Sequence, residues 1–194
     1  MTHCAQAGTL SPRTTEPPVV HKELAEVLAN PVIAVVRSAE ELAEALTSRV
    51  SAIEIRSGDL ASLPALIGRD PAAIDFLCGY ARPTAIVSTK KQILQKARAC
   101  GLITIFQIFM IDTQAFETGI QTARRLDCDA VEIMPGAIPH IIREVSSQLP
   151  LPVLCAGLVK TEAEIHEVLK AGAQAVATSR RPLWFASSLR EVAA

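Results

Sequence analysis

The chain has few aromatic residues, no long apolar run and no excess of charge of either sign. Only 4% of its 194 residues are Phe, Trp or Tyr. That excludes a core of large rings, so Ala, Val, Ile and Leu must fill the interior, as in parallel α/β proteins. No stretch approaches the roughly 20 apolar residues that cross a bilayer, and the N-terminus lacks the apolar segment of a secretory signal. No membrane partner is expected. The formal net charge of −1 excludes a global polyanion-binding surface and leaves room only for a local patch. The cysteines (Cys4, Cys78, Cys100, Cys128 and Cys155) are odd in number, widely spaced and without a C-x-x-C pair. This fits reduced thiols in the cytoplasm rather than disulfides or zinc, and Cys155 is read as a small core thiol. No metal site and no cofactor are expected. H-E-x-x-H, G-x-S-x-G, P-loop and G-x-G-x-x-G patterns are all missing. His3, His21, His140 and His166 fall on the tail, at its edge or on helices, with His166 expected to be solvated. Nothing assembles a nucleophile and a base, so no catalytic residue is assigned.

What is present is a globular composition, 49% apolar and 20% charged. A chain of this length buries roughly 70% of its extended surface as one domain. Residues 1–19 mix Thr, Ser, Pro and Gln without periodicity and read as a loose tail; residues 20–194 read as a single domain. Within it, short β-branched runs alternate with helical periods. The clearest unit spans Pro152 to Ser179. A strand over Pro152–Cys155 is followed by a turn at Gly157. A helix opened by a Thr161/Glu164 capping box carries Ile165, Val168 and Leu169, Gly172 stops it, and a second strand covers Ala173–Ala177. Such a βαβ unit has parallel strands.

Taken in order, a helix is predicted near His21–Ala29, then strands over PVIAVV (from Pro31) and AIEI (Ala52–Ile55). After a turn at Gly58 and Asp59, two helical stretches follow, one with Leu60, Leu63, Leu66 and Ile67 and one over PAAIDFLCGY. Only Gly68, Arg69 and Asp70 separate them, too few for a strand and its loops. Alternation then resumes with strands TAIV (Thr84–Val87), LITIFQIF and AVEIM (Ala130–Met134). Capping boxes or caps are placed at Ser38, Thr89 and Asp112, Pro139 lies in a first helical turn, and a closing helix begins near Arg181–Trp184. The fold class is α/β, a TIM-like (β/α) barrel that is incomplete, with about seven parallel strands.

In such a barrel the strand C-termini form the site face, and the loops after the last two strands hold phosphate. Ala156 and Gly157 follow one of these strands, and Thr178 and Ser179 the next. Backbone N–H groups at a glycine turn, together with hydroxyls, suit a phosphate dianion; a plain βα turn is the competing account. Arg37 follows an apolar strand and caps nothing, so a ligand role stands beside a solvated side chain or an ion pair with Glu54. Glu132 lies inside an apolar strand and must be paired or hydrogen-bonded there. Gln107 also sits on a strand facing the site end.

Several runs resemble the glycerol-3-phosphate responsive antiterminators, regulators of bacterial glycerol uptake operons. They are NPVIAVVRS, IVSTKKQILQKARACGLITI, IFMIDTQAFETGI, DAVEIMPGAIPHIIREV, LPVLCAGLVKTEAEIHEVLKAGAQAVATS and the Leu183-Trp184 pair, in order from Asn30 onward. The resemblance implies a barrel that senses glycerol-3-phosphate and binds leader mRNA to prevent transcription termination. Against the family pattern, the third strand has no counterpart, and a Gln-Arg pair appears as Phe106-Gln107. A Gly-Gly pair appears as Ala156-Gly157, and Arg180 replaces an Asn.

The function implied is a cytoplasmic, glycerol-3-phosphate responsive, mRNA-binding antiterminator. The alternative is a barrel enzyme on a small phosphorylated metabolite, with Glu132 and Lys160 or Gln107 as its acid–base pair. Lys90, Lys91, Lys96 and Arg98 on one helix, with Arg124 and Arg125 on the next, are ordinarily solvated faces, so no RNA surface is assigned. A homo-oligomer partner or the N-terminal helix could seal the gap left by the missing strand.

Overall fold

The structure, a computed structural model, describes residues 22–56 and 83–186. The expected tail over 1–19, His3, Cys4, His21, Cys78, the Gly58-Asp59 turn and the strandless stretch between the two helical segments lie outside these residues.

Seven strands are present among the described residues: β1 (Val32–Val36), β2 (Ala52–Ile55), β3 (Ala85–Ser88), β4 (Ile103–Phe109), β5 (Ala130–Met134), β6 (Val153–Ala156) and β7 (Ala175–Thr178). The helices are α1 (Lys22–Val27), α2 (Ala39–Thr47), α3 (Lys91–Ala99), α4 (Thr113–Arg125), α5 (Pro139–Gln148) and α6 (Glu162–Lys170), and a 3₁₀ turn covers Arg181–Phe185. Every strand pairing is parallel. The order across the sheet is β2-β1-β7-β6-β5-β4-β3. This is the cyclic order of a βα barrel, with β1 beside β7 (Val32 opposite Val176), cut once between β2 and β3. The sheet is a curled, TIM-like partial barrel whose edge strands among the described residues are β2 and β3.

Strand periodicity sorts the core into two layers. Val32, Ala34, Val36, Ile108, Val131, Ile133, Val153, Cys155 and Val176 face outward against the helices. Ile33, Val35, Ile103, Ile105, Ala130, Leu154, Ala156, Ala175 and Ala177 face the interior. The inward positions of β5 to β7 are mostly alanine, which leaves room near the mouth for longer polar side chains. Leu24, fully buried, joins the inner layer from α1. The Ser51 hydroxyl donates to the Val27 carbonyl, and Asn30 Nδ2 donates to Arg49 O at 2.8 Å. Helix α1 is thereby held under the N-terminal end of the sheet.

Caps follow the sequence except at one helix. Ser38, Asp112 and Thr161 accept from the backbone N–H three residues on, and Thr161 and Glu164 complete a capping box. At α3 the expected Thr89 cap is not formed. Strand β3 runs on to Ser88, whose hydroxyl accepts from Lys90 N, and Lys90 occupies the cap position without capping the helix through its side chain. The Trp184 indole N–H donates to Thr178 O at 2.9 Å and locks the 3₁₀ turn against β7. Cys155 is fully buried, and burial pushes its thiol well above the ordinary range. His166 corrects an expectation: it is half-buried, and its Nε2 is shielded from solvent with no hydrogen-bond partner. Among the described residues no helix is long and apolar enough to cross a membrane.

Candidate functional site at the strand C-termini

The interior face of the mouth carries a connected polar cluster. Alternation along β2 puts Glu54 and then Arg56 on the inward side, in phase with Ala52 of the inner layer. On β5 the same phase carries Ala130 and Glu132, and on β4 it carries Ile105 and Gln107. Register places Gln107 directly opposite Glu132. Arg56 Nε donates to Glu54 Oε1 at 2.5 Å, and its Nη2 reaches Glu132 Oε2 at 3.0 Å. The Gln107 side-chain amide donates to the same Glu132 oxygen, and Arg56 Nη1 lies 3.6 Å from the Met134 sulfur.

Glu132 is 1% exposed. Burial, helped by the nearby Glu54 carboxylate, raises it to about 7 against the opposing pull of Arg56 and Gln107. Two carboxylates share one guanidinium, so the cation cannot fully neutralise the more deeply buried acid. Burial alone would disfavour the charge on Arg56, but Glu54 and Glu132 outweigh it and the guanidinium is held above its ordinary value.

Each residue read from the sequence has a definite place. Glu132 is paired, as its burial demanded, and Gln107 is one of its partners. Arg37 is exposed, in keeping with the solvated side chain, and its backbone N–H donates to Glu41 Oε2 at 2.7 Å; the ion pair with Glu54 is corrected, since Glu54 pairs with Arg56. Arg56, which the sequence places among the polar residues at the strand ends, was given no role there. Its signal was there, since an arginine two positions after Glu54 on a strand shares its face.

Ala156 ends β6 and Gly157 follows it; Thr178 ends β7 and Ser179 follows. Because Ala156 lies opposite Ala177 in parallel register, both loops leave the same end of the sheet. Gly157 turns with φ +77° and Leu158 with φ +63°. Gly136 N donates to both Ala156 O and Gly157 O, at 2.7 and 3.0 Å, which ties the β5–α5 loop to the β6–α6 loop. A Cβ on Gly136 would lie 2.8 Å from Ala156 N, so only glycine lets the two loops close up. Thr178 shares the outward phase of Val176; its hydroxyl donates to Val159 O and accepts from Arg180 N, each at 3.2 Å. Its side chain therefore braces the loop from behind, while Ser179 is exposed at the rim. Exposed Ile55, Phe109, Ile111 and Leu158 give the same face an apolar margin.

A family model described as glycerol-3-phosphate responsive antiterminator matches residues 66–184. The chain is similar to the glycerol uptake operon antiterminator regulatory protein of Listeria monocytogenes, with 26% identity, TM-score 0.69, and coverage of 79% of this chain and 94% of that one. It is similar to a glycerol uptake operon antiterminator-related protein of Thermotoga maritima, with 26% identity, TM-score 0.66, and coverage of 80% and 98%. The uncharacterized protein YgcP of Escherichia coli K12 is 26% identical over 175 residues, covering 80% of this chain and 92% of that protein.

Proposed function

This chain belongs to the glycerol-3-phosphate responsive antiterminator family, and on that premise we propose that it is a cytoplasmic regulator that senses glycerol-3-phosphate, or a similar small phosphorylated polyol, and acts on leader mRNA. The observation that carries the sensing half is the meeting of two chemistries at one end of the sheet. The loops after β6 and β7 offer backbone N–H groups around Gly157 and the Ser179 hydroxyl to a phosphate. The Arg56–Glu132–Gln107 cluster offers a cation, a carboxylate and an amide to hydroxyl groups. Glu132 lies opposite Leu154, three residues before Gly157, so the two lie roughly 10 Å apart along the strand direction. That is a span suited to a short polyol phosphate. Ligand ordering these loops shifts the population toward the state that engages RNA.

The second reading, a barrel enzyme on a small phosphorylated metabolite, is favoured by one observation. Glu132, at about 7, is poised to take or give a proton near neutrality.

The test is calorimetric and thermal titration of the protein with glycerol-3-phosphate, followed by filter binding of the leader transcript with and without it. Saturable stabilisation of about 2.7 kcal/mol at a hundredfold excess over Kd is the expected result. No heat and no stabilisation defeats the sensing reading. Turnover of the ligand selects the enzyme.

A further inference from the structure

Three cationic residues of α3 and α4, which the sequence distributes over two helices, come together along one groove in the structure. Lys91, Gln95 and Arg98 fall at i, i+4 and i+7 on one face of α3. With Arg125 at the end of α4 and the adjoining Asp127, they line a single open groove of about 390 Å³. Arg98 is fixed as its wall: Nε lies 2.7 Å from Asp127 and Nη1 lies 3.1 Å from Asp129. Asp129 is itself anchored by Thr104 N and Oγ1, both at 2.8 Å. Arg124 turns away, its Nη2 donating to Gln148 O at the end of α5 at 3.3 Å. Lys91 and Arg125 are exposed on the two lips of the groove.

Two further observations set this groove apart from an ordinary solvated helix face. Lys90 and Lys91 stand at the N-terminal end of α3, which has no acidic residue in its first turn. Cations at the positive end of a helix are placed against its dipole, each at a cost of about 0.3–1 kcal/mol. The helix ends also differ in charge across the fold. The first turns of α2 (Glu40, Glu41) and α6 (Glu162, Glu164) are acidic, whereas α3 and α4 have no acidic residue in their first turns and end on Lys96 and Arg98 and on Arg124 and Arg125. In a chain of net charge −1 the groove itself sets Lys91, Arg98 and Arg125 against Asp127, a local excess of cations that suits an anionic polymer.

We infer that the α3–α4 groove is the track for the phosphate backbone of the RNA, an assignment that rests on the antiterminator reading above. Among the described residues no aromatic side chain lines it, so these residues offer no stacking platform for bases. It supplies affinity through phosphate contacts and no sequence readout, which must come from another surface.

The test measures fluorescence anisotropy of the full chain with a labelled single-stranded RNA of mixed sequence across a salt series, alongside the leader transcript. The wild type is compared with Lys91→Gln/Arg125→Gln and with the control Lys170→Gln on α6. Arg98 is left intact because its ion pairs are structural, and thermal melts confirm that the variants fold. The double variant is expected to bind both RNAs more weakly, with the slope of log affinity against log salt reduced by about 0.7 per lost contact. The control variant is expected to match the wild type. Wild-type binding with an unchanged slope in the double variant overturns the groove and leaves the antiterminator reading standing. A wild type that binds neither RNA overturns both.

Discussion

The guanidinium of Arg56, just beyond β2, meets the Glu132 carboxylate of β5 at 3.0 Å. These strands are separated in the sheet by β1, β7 and β6, so the pair crosses the interior and can form only because the sheet curls. It joins one edge strand to the middle of the sheet through space, where no ladder of backbone bonds does so.

Removing Arg56 takes the buried Glu132 away from its cation, whereas Arg56 keeps Glu54 when Glu132 is removed. Arg56→Gln is expected to destabilise the protein at neutral pH by roughly 1–3 kcal/mol, since the guanidinium is partly solvated, and Glu132→Gln to cost less, because it removes an acid whose charged form burial already opposes. The double variant should cost less than the sum, with a coupling of at least about 0.5 kcal/mol by urea denaturation. Strict additivity would show that the two side chains do not act on each other.

Protonation of Glu132 gives stability an unusual pH dependence. Its native value, about 7, lies above the ordinary 4.5, so between these values the native state holds a proton that the unfolded chain has released. Stability therefore falls as pH rises through this window and is greatest below it. Glu132→Gln should flatten that part of the profile, and an unchanged slope in the variant would refute the assignment.

Asp129 has the opposite sign. Burial alone would raise it, but hydrogen bonds from Thr104 and Arg98 hold it below the ordinary carboxylate range. Its contribution is present above that range and lost on acidification through the lowered native value. Asp129→Asn should lower stability at neutral pH and lessen the loss in acid, as followed by circular dichroism during acid titration.

The two glycines at the mouth fail for different reasons when substituted. Gly157→Ala pays for a positive φ, about 1 kcal/mol, and its Cβ meets only the flexible end of Met134, at 3.1 Å. Gly136→Ala drives a Cβ to 2.8 Å from backbone at Ala156. The Gly136 variant is expected to lose more stability, and thermal melts of the two settle the ranking.

Two threonines that look alike in sequence should behave differently. Thr161→Ala removes a formed capping box and is expected to cost about 1 kcal/mol. Thr89→Ala removes a hydroxyl that makes no cap and should stay within about 0.5 kcal/mol of wild type. Equal losses in chemical denaturation would mean that α3 begins where the sequence pattern first placed it.

The strands were legible because their residues are unambiguous. AVEIM falls on β5 without adjustment, and AIEI on β2. The boundary of β3 slipped by one because Thr84 and Ser88 are equally compatible with a strand end, and that slip carried the Thr89 cap with it. The burial of Glu132 in an apolar strand announced that it had a partner. The identity of Arg56, 76 positions away, depended on curvature that periodicity does not encode. Parity along β7 could have told that Thr178 faces outward with Val176, since the two are separated by one residue. His166 was misjudged because a histidine among charged helix residues resembles a surface position, whereas its Nε2 is shielded from solvent.

The pairing of Val32 with Val176 gives this architecture a schedule. During synthesis β1 can find β2 as soon as that strand leaves the ribosome, but its other flank stays open until β7 has been translated. For nearly the whole of elongation the nascent chain carries an unsatisfied row of amides and carbonyls on a strand of five apolar residues, a template for unwanted partners. A premature stop codon before Val176 would leave that row permanently uncovered, so truncated products of this gene should be captured by chaperones or degraded rather than accumulate as partial barrels.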